Sequence, residues 1–149
     1  MLNAKKINSL DLSRLNFSVD KKRYLFLAKK DKIDFIYNTA ALEGNAMTFP
    51  EVATLLDGIT VGGHKLSDEQ QILNQNRSVN LLFSMLEKNK FELNKQVLCV
   101  LHAEVAREEA LQWGEFRDGN LNIGGTDYLP PAPDRLNAIF AEAIREINQ

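Results

Sequence analysis

Cysteine is almost absent. Cys99 stands alone in the 149-residue chain, so no internal disulfide can form and nothing points to a secreted, disulfide-stapled scaffold. Its neighbours Val97-Leu98 and Val100-Leu101 suit a small buried hydrophobe better than a nucleophile. Long apolar runs are missing too. None reaches the ~18 residues of a membrane span, and Met1-Leu2-Asn3-Ala4-Lys5 leads into no apolar signal segment. The expectation is a cytoplasmic protein with no membrane partner. Charge of one sign is also lacking: 18 basic against 20 acidic residues leave −2. This balance argues against nucleic acid as a partner. Lys5-Lys6, Lys21-Lys22-Arg23 and Lys29-Lys30 read as solvated faces, with no long basic run interleaved with aromatics. The two histidines, His64 and His102, have no second ligand at metal-binding spacing, so no metal site is expected. His102 reads as a hydrogen-bonded histidine at the core or its boundary, and Trp113 as packing the base of a hairpin.

What is present is ordinary for one globular domain with a real core: 44% hydrophobic and 26% charged residues, without repeats or low-complexity tracts. Apolar residues recur at roughly helical spacing from Lys21 to about Glu43, where Gly44 supplies a stop; Ser18 or Asp20 can cap the start. Thr48-Phe49-Pro50-Glu51 is a capping-box start for a short helix through Leu55-Leu56 that ends at Asp57-Gly58. A Val61-Gly62-Gly63-His64 loop follows. Ser67 to Gln70 reads as a second capping box, opening a helix to about Lys88. Asn94 caps a helix to Leu111, and Asp134 opens a last one. Between them, the glycine- and proline-rich segment with alternating Phe116, Leu121 and Ile123 predicts a β-hairpin over 114–125. The fold class expected is mainly α, about five helices with one hairpin.

Asn38-Thr39-Ala40-Ala41-Leu42-Glu43-Gly44-Asn45 resembles the inhibitory motif of Fic proteins, a Ser or Thr followed four residues later by Glu and then Gly or Asn. Further on, Gly114-Glu115-Phe116-Arg117, then Asn122-Ile123-Gly124-Gly125 and Pro130-Pro131, are similar to the Fic flap. Between these motifs lie Val61-Gly62-Gly63, a long helix with an asparagine pattern near Asn74 to Asn80, and Leu101-His102, in the family's order. The likeness spans roughly residues 30–149, with 1–93 read as the N-terminal region bearing the inhibitory helix and 94–149 as the first part of the core. Phe116-Arg117-Asp118-Gly119-Asn120 also matches the middle of the Fic catalytic signature by letter. The full His-x-Phe-x-Asp/Glu-Gly-Asn-Gly-Arg run is absent: Gly114, Leu121 and Asn122 stand where its His, Gly and Arg belong. Without the histidine no base takes a proton from a target hydroxyl, and the flap is the better reading.

The resemblance implies a partial helical Fic-like fold and a parent protein that transfers AMP from ATP to Ser, Thr or Tyr hydroxyls of a target. ATP and Mg2+ are the cofactors expected of the complete protein; no tight binding is expected of this chain alone. The chain alone has no catalytic residue, and the catalytic loop would begin beyond Gln149. Thr39, Glu43 and Gly44 take the inhibitory roles. A carboxylate at a helix C-terminus is disfavoured by the dipole and gains from an arginine fork of the catalytic loop. Thr39, one turn earlier, can orient it. Phe116, Arg117, Leu121, Asn122, Ile123, Gly124 and Gly125 take the target-binding roles: Phe116 and Ile123 as packing anchors, Leu121 and Asn122 as the edge that adds a strand to the target protein. Uncovered apolar faces imply a possible homodimer. The alternative function is a non-enzymatic regulatory or protein-binding module using the same helix and flap.

Overall fold

The computed structural model describes residues 20–147. Six α-helices follow one another among them: α1 Lys21–Lys30, α2 Lys32–Leu42, α3 Phe49–Leu56, α4 Leu66–Glu87, α5 Lys95–Val105 and α6 Leu136–Ile147, the last entered through a short 3-10 turn at Pro133–Arg135. The start signals act as their chemistry dictates. Asp20 accepts from the Arg23 amide at 3.1 Å, and Asn94 from that of Val97 at 2.9 Å. At α3, Thr48 donates both its N–H (2.7 Å) and its hydroxyl (2.6 Å) to Glu51 Oε2, and Pro50 fills the first turn.

The stops are equally local. Gly44, at φ +83°, ends α2 in a Schellman motif: its N–H meets the Ala41 carbonyl at 3.1 Å, and the Asn45 N–H meets that of Ala40 at 3.0 Å. α3 ends the same way at Gly58, and α4 at Asn89, a non-glycine residue at φ 53°.

The core lies where α2, α3 and α4 meet. Ile36 and Ala40 of α2, Met47 of the connection, Val52 and Leu55 of α3 and Ile72 of α4 form one buried cluster. Each large aliphatic there contributes about 1.5–3 kcal/mol by leaving water. Beside it Tyr37 meets Phe49 edge to face, with ring centroids 5.7 Å apart. α4 spans about 33 Å at 1.5 Å per residue and is the strut on which α2, α3 and α5 pack. By contrast, α1, α5 and α6 bury no residue fully.

The long first helix expected from Lys21 to Glu43 is two, divided at Asp31 (φ −89°, ψ 6°). α4 starts at Leu66 with Lys65 at the cap and no side-chain capping bond, so the Ser67/Gln70 box does not form; Gln70 instead donates to Asn74 Oδ1 at 2.8 Å. α5 stops at Val105, not Leu111. The buried Asn74 amide donates to the Arg107 carbonyl at 2.9 Å, and Glu108 turns to φ 63°. The hairpin expected at 114–125 is not formed: this segment is loop and turn, and no strand occurs among the described residues. Ser18 as a cap lies outside them.

Asn74 is completely buried and bonded at both side-chain polar atoms, since its Oδ1 also accepts from Arg77 at 3.0 Å. Asn74→Leu strands the Arg107 carbonyl and the Gln70 amide. Chemical denaturation is expected to show a loss of about 1–3 kcal/mol; unchanged stability would remove Asn74 as the tie between α4 and α5.

Candidate functional site

The candidate inhibitory residues sit at the C-terminal end of α2. Glu43 is its C-cap, with φ −84° and ψ 5°, and its backbone N–H is spent on Ala40 and Thr39. The side chain is exposed, and no hydrogen bond or ion pair engages its carboxylate among the described residues. Gly44 has nothing within 4 Å of where a Cβ would stand, so its positive φ alone calls for glycine. Thr39 does not orient Glu43: its hydroxyl donates to the Phe35 carbonyl at 2.8 Å.

The residue that grips this helix end is Asn45, which no reading of the sequence singled out for the task. Its Nδ2 donates to the Asp68 carbonyl at 2.9 Å and to Gln71 Oε1 at 2.7 Å, both on the first turns of α4. Its Oδ1 accepts from the Met47 N–H at 3.0 Å. The carboxylate-bearing end of α2 is thereby fastened to α4. Only the neighbouring Glu-Gly-Asn letters hinted at Asn45; its partners on α4 lie more than twenty positions away.

His64 belongs to a second tie. Its Nε2 lies 3.1 Å from Glu51 Oε1, so Glu51 serves the Thr48 cap through one oxygen and the glycine loop through the other. The Thr48 hydroxyl and amide, then His64, hold the Glu51 carboxyl at about 2, below its ordinary 4.5.

The loop at 114–131 is braced rather than paired. Gly114 is locked at its base: φ is +79°, a Cβ would come 2.9 Å from that of Ala103, and its N–H donates to His102 Nδ1 at 3.1 Å. His102 is thus the half-buried, hydrogen-bonded histidine expected. Phe116 anchors the loop as expected, edge to face with Phe140 at 5.6 Å and with Lys95 Nζ 4.5 Å from its ring centroid. Ile123 is no anchor; it is 46% exposed. Trp113, expected to pack the base of the hairpin, is 43% exposed. Arg117 turns back on its own loop, donating to the Gly119 carbonyl at 2.7 Å and to that of Pro131. Leu121, Asn122, Gly124 and Gly125 are exposed along the rim.

Between α2 and α5, floored by α4, runs an apolar hollow of about 320 Å³ that includes Phe35, Thr39, Val79, Leu98 and Leu101. Gln75 Oε1, buried beside it, has no hydrogen-bond partner among the described residues. Among the described residues no three His, Cys, Asp or Glu side chains gather as metal ligands do, and no helix is long and apolar enough to cross a membrane.

With this geometry established, comparison with known proteins bears out the likeness read from the motifs. A Protein adenylyltransferase Fic of Drosophila ananassae is 27% identical over 152 aligned residues, 99% of this chain and 30% of that protein. The protein of the same name from Aedes aegypti is 26% identical over 144, covering 93% of this chain and 28% of the relative. No family model matches. A solved Fic family protein from Desulfovibrio desulfuricans G20 shares the fold at TM-score 0.65 and 20% identity, over 97% of this chain and 42% of that one. The chain is thus similar in sequence to these Fic adenylyltransferases, and it is mainly helical with a Fic-like fold. It spans less than a third of the length of these curated relatives.

Glu51 gives a pH test. Its folded-state carboxyl lies below the unfolded value, so its stabilisation is complete above about pH 4.5 and is lost as pH falls toward 2. Thermal unfolding followed from pH 6 to 2 should show Glu51→Gln with a shallower acid decline than wild type; parallel curves would mean that the Thr48–His64 cluster does not hold this carboxylate.

Proposed function

We propose that this chain is the regulatory, N-terminal portion of a Fic protein adenylyltransferase, in which Glu43 restrains transfer of AMP from ATP to a hydroxyl of a target protein. The observation that carries the reading is the Glu43 carboxylate, exposed at a helix end and engaged by no side chain among the described residues. A carboxylate so placed gains most from an arginine supplied by another element. The names of the relatives support the reading, as do the motif order and the hollow beside Thr39 and Phe35, an apolar seat for helices that complete a Fic core.

In this reading the phosphate cradle and the base come with the catalytic signature of the complete protein, and this chain contributes restraint and target contact. Arg117 is engaged within its own loop. For the target, the exposed rim from Leu121 to Gly125 is the surface to which an extended segment adds. Phe116 and Arg117 hold that rim in place. A second reading, favoured by the open hollow, is a non-enzymatic module that lends Glu43 and the rim to a separate catalytic chain.

The 149-residue chain is expected to transfer no labelled AMP to itself or to other proteins; transfer that tracks the purified chain would overturn the assignment of 116–122 to a flap. In the full reading frame, Glu43→Gly is expected to raise transfer on the order of tenfold to a hundredfold, the equivalent of a charge-assisted pair worth about 1.5–3 kcal/mol. Equal transfer by wild type and Glu43→Gly, both folded and both binding ATP, refutes the brake. A frame that encodes no catalytic signature, with activation seen only on mixing with a separate catalytic chain, favours the second reading.

A further inference from the structure

We propose that Asn45 is the positioning residue of Glu43: it acts through Glu43 by clamping the helix end that carries it to α4. The inference rests on the reading of Glu43 as an inhibitory carboxylate and names what holds that carboxylate in place.

Nothing attached to the Glu43 side chain fixes it. It is exposed, and the one candidate orienting group, the Thr39 hydroxyl, donates to Phe35 instead. Where its carboxylate stands is therefore set by the backbone of the last turn. Ile36 and Ala40, buried against α3 and α4, fix the α2 axis. A helix end still frays beyond its last packed residue unless something outside the helix holds it. Asn45 does this with its backbone N–H and both polar atoms of its side chain. Its N–H closes the Schellman turn on Ala40 at 3.0 Å. Its Oδ1 takes the Met47 N–H at 3.0 Å, which starts the chain toward α3. Both amide hydrogens reach α4, at Asp68 O and Gln71 Oε1, 2.9 and 2.7 Å away.

The side-chain chemistry is specific. One acceptor and two coplanar donors on a one-carbon stem are what these three partners require. Aspartate keeps the Met47 contact but turns a carboxylate toward two oxygens. Glutamine places the amide one methylene too far. Alanine keeps only the backbone bond. The clamp is also half-buried, so its bonds compete less with water than those of an exposed cap.

Two measurements test this. In the 149-residue chain, Asn45→Ala should speed amide hydrogen exchange at Gly44 and at position 45 on the order of tenfold, for the loss of two side-chain bonds to α4. Exchange from Ile72 to Phe83 should not change. In the full reading frame, labelled AMP transfer is compared for wild type, Asn45→Ala, Glu43→Gly and the double variant. Asn45→Ala should raise transfer by about fivefold, less than Glu43→Gly, and the double variant should match Glu43→Gly, because a residue acting only through Glu43 has nothing left to act on. Phe83→Leu, which loosens α4 at a buried position outside the cluster that fixes α2, should leave transfer at the wild-type level and controls for instability. Unchanged exchange in Asn45→Ala overturns the inference. So does wild-type transfer by Asn45→Ala when Glu43→Gly is active, or further activation in the double variant. If Glu43→Gly itself leaves transfer unchanged, the brake reading fails and this inference falls with it, an outcome distinct from the others.

Discussion

The end of α2 is the constraint on which the rest depends. There a helix stops at a left-handed glycine and is fastened within one residue to the long strut α4. The stop sets how far α2 reaches, and the fastening sets which way its last turn faces. From that corner Met47 enters the core, Thr48 and Pro50 start α3, and Glu51 extends toward His64. The path from α2 to the glycine loop thus follows from a Schellman turn, an asparagine and a capping carboxylate, each using backbone groups that a helix end must otherwise leave to water.

The distribution of burial gives this corner its meaning. The cluster of Ile36, Ala40, Met47, Val52, Leu55 and Ile72 lies at the α2–α3–α4 junction, whereas α1, α5 and α6 keep partly open faces. A carboxylate carried on the best-packed part of the molecule can act as a fixed obstacle, because moving it means disturbing the core. The loop at 114–131 is held by a few discrete contacts, with Gly114 at its base, Phe116 against Phe140, and Arg117 on Pro131. Such a loop can keep its anchors while its exposed rim adjusts to an extended segment. In the proposed function, restraint and contact therefore fall on parts with different mechanical character.

The sequence made legible what is decided within a few residues. The caps at Asp20, Thr48 and Asn94 and the stops at Gly44 and Gly58 are local chemistry, and each forms. What it hid was decided by partners far along the chain. α5 ends at Val105 because Asn74, more than thirty positions earlier, takes the Arg107 carbonyl. The alternation of Phe116, Leu121 and Ile123 suggested a hairpin, but no layer covers Leu121 and Ile123, and without a second paired strand the segment stays a loop. The Thr39–Glu43 spacing was visible as a motif. That the Thr39 hydroxyl would turn to its own helix, and that Asn45 would do the holding, depended on where α4 lies.

The central claim is mechanical: Glu43 stands on a rigid pedestal. Backbone 15N relaxation of the chain measures this directly. Order parameters for Glu43, Gly44 and Asn45 near 0.85, about those of rigid helical backbone such as the middle of α2, are the result predicted; values of about 0.6 or lower, with the rest of α2 rigid, would contradict it.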